Sequence, residues 1–124
     1  MSDLPKPTPA EMEMLRLLFA LGPATAREVH QAGVAARPDL QYATVLRTLQ
    51  LMHSKGLLSR DESQKAHVYA PAQSQDSLQT SLLKDLIHKA FAGSGKALIM
   101  AALRGGHVTS QEREEIQKLL DEEK

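Results

Sequence analysis

Four residues in one short stretch, Gln41, Ala43, Thr44 and Arg47, carry side chains suited to the edges of base pairs. A guanidinium pairs in a bidentate manner with O6 and N7 of guanine, a threonine meets a thymine methyl or a phosphate, and a glutamine amide reads adenine. Val45, Leu49 and Met52 are interleaved with them at i, i+4 and i+7, the apolar period of a helix. With that stripe turned to a core, the four residues face outward at the leading end, with Leu51 further along the same side and Tyr42 between Gln41 and Ala43 as a further DNA-contact candidate. Arg47 is the strongest single candidate for a base contact. Further on, Arg60, Lys65 and His67 set positive groups where they would meet phosphates, fixing register without carrying sequence. Backbone N–H groups near Thr25, at the start of an earlier helix, would bind a phosphate in the same way.

Other chemistries find little support. The five histidines, His30, His53, His67, His88 and His107, form no H-x-x-x-H or H-E-x-x-H pair, and the chain has no cysteine to complete a metal site. No metal and no cofactor are expected. There is no G-x-S-x-G elbow and no phosphate loop, and Glu112, Glu114 and Glu115 are strung along a polar helix face instead of converging as an acid and base. An enzyme is therefore not expected.

The elements that must carry these residues are legible from their boundaries. Thr8-Pro9-Ala10-Glu11 is a capping box with proline at the first helical position, which satisfies the free N–H groups of a helix start. Met12, Leu15, Leu18 and Phe19 then share a face, and Gly22-Pro23 stops the helix. A second box, Thr25-Ala26-Arg27-Glu28, opens a shorter helix with Ala26, Val29 and Ala32 inward, followed by a connection from Gly33 to Pro38. The third helix runs from about Asp39 or Gln41 to Lys55-Gly56. After it, Leu57 to Asp61 and Ala66 to Ala70 flank the polar turn Glu62-Ser63-Gln64-Lys65, which predicts a hairpin. Three helices followed by one hairpin is the element order of a winged helix.

Beyond Pro71 the composition changes, and Leu78, Leu82, Leu86 and then Ala90 or Phe91 fall close to the spacing of a helical seam. Gly93-Ser94-Gly95 breaks that helix; a second places Leu98, Ile99, Ala102 and Leu103 together and stops at Gly105-Gly106. A third capping box, Thr109-Ser110-Gln111-Glu112, opens a last helix carrying Ile116, Leu119 and Leu120. Three short helices with exposed apolar faces need a partner, and a second copy of the chain is the simplest one. The expected architecture is mainly α with a small β-wing: a winged helix-turn-helix DNA-binding domain over residues 1–72 and a three-helix dimerisation region over 73–124.

Composition agrees with this plan and narrows it. The 124 residues are 42% hydrophobic but only 3% aromatic, with no Trp, so the core must be built from Leu, Val, Ile, Met and Ala, the usual materials of helix packing. The 15 Lys and Arg balance 15 Asp and Glu, which argues against a generic nucleic-acid coat and makes any DNA contact depend on where the charges sit. No apolar run reaches the length that crosses a bilayer, and Met1-Ser2-Asp3-Leu4-Pro5-Lys6 lacks the apolar core of a signal peptide. A cytoplasmic location without membrane insertion is expected.

Taken in order, Pro9-Ala10-Glu11 with Met14-Leu15, Gly22 to Val29, Tyr42 to Leu49, Lys55-Gly56-Leu57-Leu58, His67 to Pro71, Phe91-Ala92-Gly93-Ser94 and Leu119-Leu120 resemble the penicillinase-repressor (BlaI/MecI/CopY) family of bacterial regulators. The resemblance implies a homodimer whose winged helices bind a palindromic operator and repress by blocking promoter access, with Thr44 and Arg47 against DNA. It also implies release by a membrane-bound sensor metallopeptidase that triggers cleavage at an Asn-Phe bond in the dimerisation region. Here the matching stretch reads Leu98-Ile99-Met100-Ala101-Ala102-Leu103, without that pair, and the cysteine-rich copper site of other members is absent. A second reading of the residues stays open: a winged-helix module that docks on proteins without reading DNA.

Overall fold

A computed structural model describes residues 6–123. The stretch Met1–Pro5, on which the absence of a signal-peptide core was read, lies outside the described residues, as does Lys124. Six helices and three short strands follow in the order α1 (Pro9–Leu21), β1 (Ala24–Thr25), α2 (Ala26–Val34), α3 (Tyr42–Ser54), β2 (Leu58–Asp61), β3 (Val68–Pro71), α4 (Gln75–Ala90), α5 (Gly95–Arg104) and α6 (Ser110–Glu122).

All three expected capping boxes form. Thr8, Thr25 and Thr109 each accept from the backbone N–H three residues on, while Glu11, Glu28 and Glu112 reach back to the cap N–H. The third helix closes through Gly56, whose φ of 86° is the left-handed geometry glycine adopts without steric cost. The Leu57 N–H then bonds the Met52 carbonyl at 2.9 Å and the Gly56 N–H bonds that of His53 at 3.1 Å, the paired arrangement of a Schellman stop.

The core of the first unit is aliphatic with one aromatic. Met14, Leu15 and Leu18 of α1, Val29 of α2 and Val45, Leu49 and Met52 of α3 meet in its centre, joined by Leu40, Leu57, Leu58 and Tyr69. The expected stripe of α3 is the buried one. On α1 the inward face is rotated: Glu11, Met14, Leu15 and Leu18 are buried, and Met12 and Phe19 are only half-buried. On α2 it is Gly33 that completes the buried set with Ala26 and Val29, and helix continues through it to Val34 where a connection was expected.

The hairpin is wider than the sequence predicts. Strands β2 and β3 pair antiparallel with Leu58 opposite Pro71 and Asp61 opposite Val68, and β1 adds to the other side of β3 with Ala24 opposite Tyr69 and Thr25 opposite Val68. The sheet order is thus β1-β3-β2. Two residues between a glycine-proline stop and a capping box carry no strand pattern of their own. Pairing with β3 alone makes them one.

The chain divides into two compact units, residues 1–79 and 80–124. This division falls after Gln79, beyond the boundary expected at residue 72, because the first turn of α4 belongs to the first unit. Leu78, expected in a dimer seam, is only 4% exposed and lines an apolar cleft with Leu15, Phe19, Leu57 and Pro71. Its place is in the core of the first unit.

In the second unit, Ser94 caps α5 by accepting from the Ala97 N–H at 3.0 Å, and Arg113 of α6 donates to the Leu103 carbonyl at 2.9 Å. Neither α5 nor α6 contains a buried residue. Leu86, Ile99, Ile116, Leu119 and Leu120 are exposed, and Leu82, Phe91, Leu98 and Leu103 are half-covered.

Candidate nucleic-acid interface

The geometry of the first unit follows from which side of α3 the core consumes. With Val45, Leu49 and Met52 buried, helical spacing turns Ala43, Arg47 and Gln50 most directly outward, with Thr44 on one flank and Tyr42 and Leu46 on the other. Arg47 is exposed and makes no ion pair among the described residues. Thr44 is exposed as well, and its carbonyl accepts from the Thr48 hydroxyl at 2.8 Å. Gln41 is the N-cap of this helix and makes no side-chain cap bond.

Between α3, the start of α2 and the wing lies an open cleft of about 330 Å³. It is lined by Thr25, the N-cap of α2, Arg27 from α2, Tyr42, Leu46 and Gln50 from α3, and Lys65 and His67 from the hairpin. The fold therefore brings together four residues singled out from sequence, Thr25, Tyr42, Lys65 and His67, that are as much as 42 positions apart in the chain. Thr25 links the parts: it is the N-cap of α2 and at the same time pairs with Val68 of the wing.

Arg60 is placed differently from Lys65 and His67. Its Nε donates to Glu62 at 2.7 Å and its guanidinium also pairs with that carboxylate through Nη2, so its charge is met within the wing. The same pairing, led by that hydrogen bond, holds the Glu62 carboxyl below the ordinary glutamate value. At the turn, the Ser63 side chain first and then its backbone N–H, which donates to Asp61 at 2.9 Å, hold the Asp61 carboxyl below the ordinary aspartate value.

Among the lining residues that escaped the sequence reading are two with long polar side chains, Gln50 and Arg27. Gln50 sits one turn beyond Arg47 on the outward stripe, and the i, i+3 relation was signal enough to find it. Arg27 lies at the second position of α2, where a cation opposes the positive end of the helix dipole. A charge placed against its own helix has a poor structural reason for being there.

Among the described residues no group of three or more His, Asp or Glu is placed to hold a metal ion, and no helix is long and apolar enough to cross a membrane.

A helical trio whose third member keeps one face exposed, flanked by a hairpin that pairs with the short strand leading into the second, defines a winged helix. The family model described as Penicillinase repressor matches residues 7–122, and the chain belongs to that family. Transcriptional regulators BlaI from two strains of Mycobacterium tuberculosis are 38% identical to it over 79 residues, which is 63% of this chain and 56% of theirs. The match thus spans little more than half the length of these relatives. Their names, like that of the family, are those of regulators and not of enzymes. Among solved structures, a point mutant of Lactococcus lactis ZitR aligns over 98% of this chain and 75% of its own, at 18% identity and a TM-score of 0.44.

Proposed function

We propose that this protein is a sequence-specific DNA-binding transcriptional repressor that acts as a cytoplasmic homodimer on a palindromic operator. The observation that carries the reading is the cleft: Gln50, from the outward stripe of α3, stands beside cationic groups contributed by two other elements, Arg27 of α2 and Lys65 of the wing, with the His67 imidazole alongside. A helix of this kind lies in the major groove with its leading residues at base edges, while flanking cations meet the phosphates. In this reading Gln41, Ala43, Thr44 and Arg47 face bases, and Thr25, Tyr42, Lys65 and His67 line the flanking backbone. Arg60 supports the wing.

The exposed apolar residues of the second unit support a second copy as its partner. Leu119 and Leu120 are 56% and 57% exposed on one helix, a state that burial against an identical helix would relieve. Two linked readers gain affinity through effective concentration without any new contact. Release by a sensor metallopeptidase would need cleavage at a bond other than Asn-Phe, since the stretch 98–103 offers none.

An electrophoretic shift on the DNA upstream of the protein's own gene tests the reading. Salt-sensitive, sequence-selective binding by a dimer is expected; its absence with dimer present overturns it in favour of a protein-docking module.

A further inference from the structure

The start of α3 is held in an unusual way for this chain. Helices α1, α2 and α6 begin with reciprocal capping boxes and α5 with a serine cap, but the N-cap of α3, Gln41, makes no side-chain cap bond. The residues on either side of Gln41 are instead gripped by one side chain from another helix. His30 of α2 places Nε2 2.8 Å from the Leu40 carbonyl; a carbonyl only accepts, so Nε2 carries the proton and donates. The same ring meets Tyr42 edge to face, with centroids 6.0 Å apart and planes at 82°, a favourable arrangement for aromatic pairs.

The contact is backed from behind. Leu40 is buried and its side chain packs against Gly33, where a methyl group would come within 2.6 Å of Leu40 Cδ2. His30 is half-buried, so its hydrogen bond is partly shielded from water. An uncapped helix start frays unless something outside the helix holds it. Here the buried Leu40 side chain anchors the approach and the His30 imidazole supplies the polar contact, and the residues they fix are followed at once by Ala43, Thr44 and Arg47.

We infer that His30 is a positioning residue for DNA reading: it sets the direction and order of the first turn of α3 while touching no base itself. The inference rests on the proposed function, which it deepens. Contacts to base edges demand placement to a fraction of an ångström, whereas attraction to phosphates tolerates a frayed turn. Loss of His30 therefore acts on selectivity in preference to overall affinity.

Three variants separate the hydrogen-bond donor of His30 from its ring. His30→Ala removes donor and ring, His30→Phe keeps the ring alone, and His30→Gln keeps an amide donor at a reach similar to Nε2. The probes are a duplex selected by the wild-type protein from a random pool and an unselected duplex of the same length. His30→Ala is expected to lower the ratio of selected to unselected affinity by about tenfold, the scale of one weakened base contact, with unselected binding little changed. His30→Gln should restore most of the ratio and His30→Phe less of it. Amide exchange at Val45, whose N–H bonds the Gln41 carbonyl at 3.1 Å, should quicken in free His30→Ala while Leu49 and Met52 stay protected. An unchanged ratio in folded His30→Ala, or equal loss on both duplexes, overturns the inference. If the wild type selects no sequence, the proposed function fails by itself, and the exchange measurement still decides whether His30 orders the start of α3.

Discussion

Lys55 donates to Glu11 Oε2 at 2.6 Å, tying the C-cap of α3 to the capping box of α1 across 44 positions of sequence. The other carboxylate oxygen of Glu11 accepts from the Thr8 N–H at 2.9 Å, so one buried carboxylate, 4% exposed, holds the beginning of one helix and the end of another. Burial by itself raises the pKa of Glu11, but the Lys55 hydrogen bond, the Thr8 hydrogen bonds and the charge of Lys55 outweigh it and hold the carboxyl below its ordinary value of 4.5.

Because the folded value is depressed, the stability that Glu11 contributes is present above the ordinary carboxylate range and is lost as pH falls through the lowered value. Glu11→Gln should cost about 1–2 kcal/mol at neutral pH, toward the lower end for a charged hydrogen bond because Lys55 is partly solvated. The difference from wild type should shrink in acid. Thermal melts of both proteins between pH 7 and strong acid check this; a gap independent of pH would contradict it.

Arg47 and Lys65 should fail differently. Arg47→Ala is expected to cost about 1–3 kcal/mol on the selected duplex and to relax preference at one base position, whereas Lys65→Ala should weaken all duplexes alike and reduce the salt slope by about 1. Arg27→Ala should behave like Lys65→Ala. Titrations at several salt concentrations separate the two patterns.

Leu78 and Leu86 sit two turns apart on α4 but in different surroundings, buried in the first unit and exposed in the second. If the chain dimerises as proposed, Leu86→Lys should split that dimer in sedimentation and weaken binding to the selected duplex, with the first unit's fold kept. Leu78→Ala should leave the dimer and lower stability by about 2–4 kcal/mol through the cavity it leaves. A dimer unaffected by Leu86→Lys would remove that residue from the seam.

Gly33→Ala pits two effects against each other. Alanine improves a helix interior by about 1 kcal/mol over glycine, but its methyl would stand 2.6 Å from a buried leucine carbon, and overpacking of that kind costs about 1–3 kcal/mol. Net destabilisation of roughly 1 kcal/mol is expected from these opposing terms, checked by denaturant unfolding.

What could be read from sequence was whatever is local. The boxes at Thr8, Thr25 and Thr109 carry their whole logic within four residues, and Val45, Leu49 and Met52 announce a buried stripe by period alone. What escaped depends on neighbours distant in the chain. Ala24-Thr25 becomes a strand only because β3 arrives beside it, and Glu11 looks like an ordinary capping glutamate until Lys55 reaches it. Leu78 follows the spacing of Leu82 and Leu86, so periodicity assigns it to their seam; only the packing of Leu15, Phe19 and Leu57 claims it for another core. In the candidate interface Arg47 was visible from its face. The contact of His30 was not, since it is made to a backbone carbonyl ten residues away.

Thr25, as both the first cap of α2 and a rung of the wing sheet, gives the cleft a fixed gauge. A hinged jaw adapts to new cargo by opening, but this one is riveted at its corner, so widening it means breaking a helix start and a strand pair together. If the protein reads DNA as proposed, its lineage would acquire new target sequences by exchanging side chains at Ala43, Arg47 and Gln50 within an unchanged frame.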